Sequence, residues 1–453
     1  MTTDQQTPDE LSEFADLMRR EEEFAEPGYG IDPRVRRARR RRGWIITAIV
    51  FALLFGVSGS YVGWALNAPL AAPDAVVSSA PVVAAPAAAA LALPSQGAAA
   101  ISVSGGDAYL GPTASGIWAT SGTGEPRSMA SITKLITAMV ILDAKPLADG
   151  SDPGPTITFD KADHDLYDKY YVMGATIAHM PTGSTMSLRD ALATMLIPSA
   201  SNYAEAVSTW AFGSQGAFLD AARRWLAAHG LTGTTVVEPT GISSRNTSTP
   251  ADLIAIGKLA LADPTIAKIV ATPGLSLSGP GGMSNTNTLL GVNGITGLKT
   301  GNLGEGSYNL LYSATLDVGA AEPLAVVGVA MGGATRESLN GDVIRTLDSI
   351  RAGFQRVPLV SQGLEVGAYS TPWGSTARVI VAGDASIFTW SDTPITATMQ
   401  TTTPKTYEDG EVVGSITYTA GPNSTTVPLE VDGSIIPPTE WWRLTHPSEL
   451  VGG

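Results

Sequence analysis

The longest apolar stretch in the chain runs from Trp44 to Leu66, 23 residues without one charged side chain. As a helix it is about 34 Å long, enough to cross a bilayer with some tilt. Further on, Ile132, Leu135, Ile136, Met139, Val140 and Leu142 cover most of a helix surface, the pattern of a helix enclosed within a domain. Residues 188 to 197 keep helical periodicity behind a Ser-x-x-acid start at Ser187 and Asp190, and Pro198 ends them. Helices are also predicted from near Asn202, over residues 217 to 229 with Gly230 as the stop, and over residues 250 to 261. Residues 295 to 300, 308 to 316 and 324 to 331 read as strands. Short turns between them predict an antiparallel meander carrying packed helices, an α+β fold. Beyond Pro358 the chain turns rich in Thr, Val, Ser and Gly. There, residues 378 to 381 and 387 to 390 are strand candidates, and residues 411 to 419 and 425 to 431 flank Gly421-Pro422-Asn423 as a hairpin.

Composition gives this pattern an address. Seven arginines between Arg34 and Arg42 precede the apolar stretch, which places the N-terminus in the cytoplasm and everything after Leu66 outside. A cleaved signal peptide is the rival reading, and small residues such as Ala65 and Ala68 fit it. The long leader and the flanking Trp44, Tyr61 and Trp64 favour a retained anchor. The divisions are a disordered cytoplasmic tail over 1–42, with at most a short helix near residues 11 to 18, and a transmembrane helix over 43–66. A flexible Ala/Pro-rich linker over 67–100 leads to an α+β domain over 101–356 and a small all-β domain over 357–453.

Acidic residues outnumber basic ones 42 to 28, for a net charge of −14. Nucleic acid is therefore excluded as a partner. The chain has no cysteine and four scattered histidines, so thiolate chemistry and a zinc centre are not expected.

Chemistry concentrates in three short motifs. Ser131 and Lys134 stand three apart at the start of the buried helix, so both side chains fall on one face and the amine can reach the hydroxyl proton. A serine at a helix start also sits at the positive end of the helix dipole. The second motif, Ser199-Ala200-Ser201-Asn202, lies in the break between two helices, where a hydroxyl can project into a cleft. The third, Lys299-Thr300-Gly301, lies on a strand whose glycines, Gly297 and Gly301, permit a substrate backbone to come close. Each has a structural explanation: a solvated lysine, a capping box formed by Asn202 and Glu205, an exposed strand end. Their order and spacing together carry more weight than any one motif.

In these motifs the chain resembles the penicillin-recognising serine peptidases, and among them the low-molecular-weight D-alanyl-D-alanine carboxypeptidases. The likeness continues through Glu238-Pro239-Thr240-Gly241, residues 248 to 252, residues 285 to 290 and residues 307 to 310. It implies a β-lactamase/DD-peptidase-like domain followed by the all-β domain of the same subfamily, set behind a membrane anchor. Ser131 is then the nucleophile, Lys134 its base and Ser199 the proton relay, with Lys299 and Thr300 on the substrate carboxylate beside Gly301. The backbone N–H groups of Ser131 and Asn302 form the oxyanion hole. The family's middle motif has Asn third; here Ser201 stands third and Asn202 fourth, so either takes that role. Burial and the charge of Lys299 are expected to lower the Lys134 pKa.

The resemblance further implies peptidoglycan stem peptides as substrate, β-lactam antibiotics as inhibitors, and no metal or organic cofactor. A class A β-lactamase is disfavoured, since no Glu-x-x-Leu-Asn follows the second motif. The alternative from another class is a non-catalytic penicillin-binding sensor or cell-envelope scaffold.

Overall fold

The computed structural model describes residues 32–450. Helix α1 spans Pro33–Asn67, with the Asp32 side chain accepting from the Arg34 N–H at 2.8 Å and proline in its first turn. Residues 33–42, expected within a disordered tail, are therefore helical. A side-chain cap, a proline in the first turn and a run of arginines with good helix propensity account for the earlier start. The helix is long and apolar enough to cross a membrane. The short helix expected near residues 11 to 18 lies outside the described residues.

The described residues divide into two compact units, one of them residues 77–367 with 378–432, the other combining residues 32–76 with 368–377 and 433–450. In the larger unit the chain enters through β1 (Ala98–Ser104) and β2 (Ala119–Ser121), then α2 (Thr133–Ala144) behind a 3-10 turn at Ala130–Ile132. Helices α3 (Lys161–Val172), α4 (Leu188–Leu196), α5 (Ser201–Phe212), α6 (Gln215–Ala228), α7 (Pro250–Ala262) and α8 (Pro264–Val270) follow. The meander β3 (Ile295–Gly301), β4 (Tyr308–Leu316) and β5 (Leu324–Gly333) then leads to α9 (Arg336–Gly353). The sheet order is β3-β4-β5-β1-β2, antiparallel throughout.

Alternation along the strands feeds two cores. Leu298, Leu311, Val327 and Val329 face the cluster built on α2 and its neighbours, while Leu310, Tyr312, Ala314 and Val326 face Leu339, Val343, Leu347 and Ile350 of α9. A sheet covered on both faces needs apolar residues at nearly every position, which is why these strands read as continuous apolar runs.

Much of the expected linker is not free. A short strand forms at Asp74–Val77, and the Ala89 N–H donates to Ser391 Oγ at 2.8 Å. Thr346 Oγ1 donates to the Ala92 carbonyl at 2.8 Å, and Ala98, Ala99 and Ala100 are buried in β1. Runs of alanine look like linker by composition, yet small side chains also suit a tightly packed central strand.

The last part of this unit is all β: β6 (Phe354–Val360), β7 (Thr376–Val381), β8 (Ala385–Trp390), β9 (Thr396–Thr401), β10 (Val412–Ala420) and β11 (Asn423–Asp432). The expected hairpin is β10 and β11, closing at Ala420 opposite Asn423. Phe354 packs against Tyr109, Phe388 and Trp390, which joins this region to the α+β domain inside one hydrophobic cluster.

In the smaller unit, α10 (Glu440–Thr445) packs on the end of α1: Tyr61 Oη donates to the Leu444 carbonyl at 2.7 Å and Arg443 to the Ala68 carbonyl at 2.8 Å. Trp442 packs against Trp373, whereas Trp441 is 73% exposed. Neighbours on a helix point about 100° apart, so only one of the two meets the packing side.

Buried Asn309 on β4 ties the sheet to the approach of the first motif, donating to the Ser128 carbonyl at 3.0 Å and accepting from the Gly332 N–H at 2.9 Å. Asn309→Ala strands both backbone groups, and we predict a loss of about 2–4 kcal/mol in unfolding free energy by urea denaturation. A loss within experimental error refutes the tie.

Candidate active site

Ser131 lies in the 3-10 turn that leads into α2, where Ala130 adopts φ 50° and Thr133 Oγ1 donates to the Ala130 carbonyl at 2.8 Å. This turn is wedged between two glycines. A Cβ on Gly241 would stand 2.0 Å from the Ala130 carbonyl oxygen, and one on Gly301 would stand 2.5 Å from that of Met129. Gly301 was expected to admit a substrate backbone; its close approach is to the chain's own serine turn, and it lines the cleft as well.

Lys134, fully buried, places Nζ 3.0 Å from Ser131 Oγ and donates to the Thr240 carbonyl at 2.6 Å. Burial lowers its pKa to about 7, against an upward pull from Glu238. The expected contribution of Lys299 shows on the partner: the Lys299 amine is pushed well below its ordinary value by burial, then by Lys134 and Arg336. An amine that is substantially neutral near pH 7 and in contact with a hydroxyl is chemically a base beside a nucleophile.

Both remaining motifs reach the same cleft, a cavity of about 360 Å³ lined by Ser131, Ser199, Ser201, Thr300, Gly301 and Asn302 among others. Ser199 sits between α4 and α5 at φ 72°, a left-handed conformation uncommon for a residue with a side chain. Lys299 Nζ lies 3.3 Å from its neighbour's carbonyl and 3.4 Å from Thr286 Oγ1, which is 2.7 Å from Thr300 Oγ1.

The middle motif divides. Ser201 lines the cleft, while Asn202, fully buried, turns away, its Nδ2 donating to the Ala178 carbonyl at 2.8 Å and its Oδ1 accepting from the Ala178 N–H at 3.1 Å. No shift of register presents Asn202 to the cleft. The capping box imagined for Asn202 and Glu205 is absent too, since α5 begins at Ser201 with Ala200 as its cap.

Two residues in the cleft were missed or set aside by sequence reasoning. Thr286 belongs to a stretch singled out only for its resemblance. Arg336 lies outside all three motifs, yet it lines the cleft, donates to the Thr286 carbonyl at 3.2 Å and lies over the Tyr308 ring. Among the described residues, no group of three or more Asp, Glu and His is placed to hold a metal.

Residues 111–334 match a family model described as D-alanyl-D-alanine carboxypeptidase. A D-alanyl-D-alanine endopeptidase of Pseudomonas aeruginosa is 31% identical over 196 residues, 42% of this chain and 60% of that protein. The D-alanyl-D-alanine carboxypeptidase DacF of Bacillus subtilis is 26% identical over 243 residues, 52% of this chain and 59% of that one. The chain thus spans about three fifths of the length of these curated relatives. Among solved structures, penicillin binding protein 6B from Escherichia coli superposes with a TM-score of 0.51 at 17% identity, covering 77% of this chain and 98% of that one; the likeness is one of fold.

The split within the middle motif is measurable. Asn202→Ala leaves two buried backbone groups unpaired and is expected to cost about 2–4 kcal/mol of stability. Ser201→Ala is expected to keep stability within about 1 kcal/mol while slowing acylation of Ser131 by penicillin. Equal stability losses, read by thermal unfolding, contradict the assignment.

Proposed function

We propose, from the match of residues 111–334 to the D-alanyl-D-alanine carboxypeptidase family model, that the protein is a serine-type D-Ala-D-Ala carboxypeptidase acting on peptidoglycan stem peptides. The observation that carries this reading is the 3.0 Å contact between Lys134 Nζ and Ser131 Oγ beside a cleft lined by Thr300 and Arg336, with the Lys299 amine buried behind it. Neutral Lys134 takes the Ser131 proton as Oγ attacks the carbonyl carbon of the penultimate D-alanine. The oxyanion of the tetrahedral intermediate is held by the backbone N–H groups of Ser131 and Asn302. The Lys134 ammonium gives its proton through Ser199 to the leaving nitrogen, the C–N bond breaks, and D-alanine departs from an ester on Ser131, leaving Lys134 neutral again. Water then gives a proton to Lys134 as it attacks the ester carbonyl, and Lys134 returns that proton to Ser131 Oγ as the acyl group leaves.

Lys299, Thr300 and Arg336 read the terminal carboxylate. Two cationic side chains around one hydroxyl make a site for an anion, and cleavage next to a free carboxylate is what distinguishes a carboxypeptidase. Ser201 occupies the wall where the family has the third residue of its middle motif. The arginine-flanked helix α1 holds this domain on the outer face of the cell membrane, N-terminus inside.

Full-length protein in detergent is expected to release D-alanine from a pentapeptide ending in D-Ala-D-Ala, and Ser131→Ala to lose about 10³-fold or more. Because only the neutral amine accepts a proton, the kcat/KM of the parent is expected to fall as pH drops through about 7. Acylation by penicillin at Ser131 without any D-alanine release would overturn the hydrolase reading. For the orientation, protease added outside intact spheroplasts is expected to digest the chain beyond Leu66 and to spare the N-terminal tail; the reverse pattern refutes it.

A further inference from the structure

Glu238 stands behind the cleft wall, in the loop that runs from Val237 to Asn246. Five donors converge on its carboxylate. Oε2 accepts from the Thr240 N–H at 2.7 Å and Thr240 Oγ1 at 2.6 Å; Oε1 accepts from the N–H groups of Gly241 at 2.7 Å and Ser243 at 3.2 Å, and from Asn246 Nδ2 at 2.9 Å. The loop so gathered holds the serine turn at several points. The Met129 N–H donates to the Asn246 carbonyl at 3.0 Å, Asn246 Nδ2 reaches Thr133 Oγ1 at 3.2 Å, and Thr137 Oγ1 donates to the Pro239 carbonyl at 2.8 Å. The remaining contact is the Thr240 carbonyl, 2.6 Å from Lys134 Nζ.

We propose that Glu238 is a positioning residue for the base: by collecting the donors of its loop it fixes the Thr240 carbonyl where that oxygen takes one N–H of the Lys134 amine. With one N–H committed there, the lone pair of the neutral amine faces Ser131 Oγ, and the ammonium formed after proton transfer keeps an acceptor. The proposal rests on the assignment of Lys134 as the base.

Charge acts in the same place. The groups facing Lys134 are the Glu238 carboxylate from the loop and the Lys299 amine from β3, with Arg336 of α9 acting on Lys299, while Tyr170 of α3, which donates to Glu205 of α5, faces Glu238 and Thr240 from the other side. Of the two carboxylates, Glu238 is the one that acts on Lys134, and it raises the Lys134 pKa. Removing its charge therefore favours the neutral amine and moves the acid limb of the rate profile to lower pH. Since all five partners are donors, a glutamine turns an N–H₂ toward them and loosens the loop, whereas an aspartate keeps the charge but falls one methylene short.

The test is the rate of Ser131 acylation by a fluorescent penicillin, followed from acid to alkaline pH with full-length protein in detergent, alongside melting temperatures. For Glu238→Gln the acid limb is expected about one pH unit lower and the alkaline plateau about tenfold lower. For Glu238→Asp the limb is expected to stay with the parent's while the plateau falls. A Glu238→Gln limb at the parent's position, or an unchanged plateau, overturns the proposal. Should Glu238→Gln fail to fold, Glu238→Asp decides: a displaced limb or a full plateau overturns it. A parent that acylates yet releases no D-alanine sinks the carboxypeptidase reading instead and leaves these ratios to judge Glu238.

Discussion

The site depends on one interaction, the buried amine of Lys134 held between Ser131 Oγ and the Thr240 carbonyl. An ammonium in an apolar interior is strongly disfavoured, so burial itself drives the side chain toward its neutral form. Helix α2 supplies that burial: every residue from Thr133 to Leu142 is enclosed. A stability criterion alone would place leucine or methionine at this position, and the polar residue there marks a requirement of chemistry rather than folding.

The second buried amine follows from the first. Lys299 enters from β3, and burial first, then Lys134 and Arg336, disfavours its charge. Arg336 adds a guanidinium at the cleft edge, lying over the ring of Tyr308. Under the proposed function, the substrate carboxylate supplies an anion beside Lys299 and Arg336.

Backbone packing sets the precision of the arrangement. The serine turn has no room to drift, because Gly241 presses on it from one side and Gly301 from the other. Asn309 and Asn246 then bond the same turn to the sheet and to the loop. Function here sits on rigid elements, as positioned catalysis requires.

Much of this was legible in the sequence because it is local. The spacing of Ser131 and Lys134 on a helix, the meander of β3, β4 and β5 and the β10–β11 hairpin all follow from side-chain period and turn residues, which near neighbours determine. The order of three motifs was enough to indicate a family. What tertiary structure decided was direction and long-range pairing. Asn202 turns inward because the Ala178 backbone, far away in sequence, needs its amide, and Ser201 is left to face the cleft. Residues 89 to 100 dock rather than swing free because Thr346 and Ser391 bond them. Arg336, Thr286 and Glu238 acquire their places only when strands, α9 and the 237–246 loop meet around α2, and no local periodicity records that meeting.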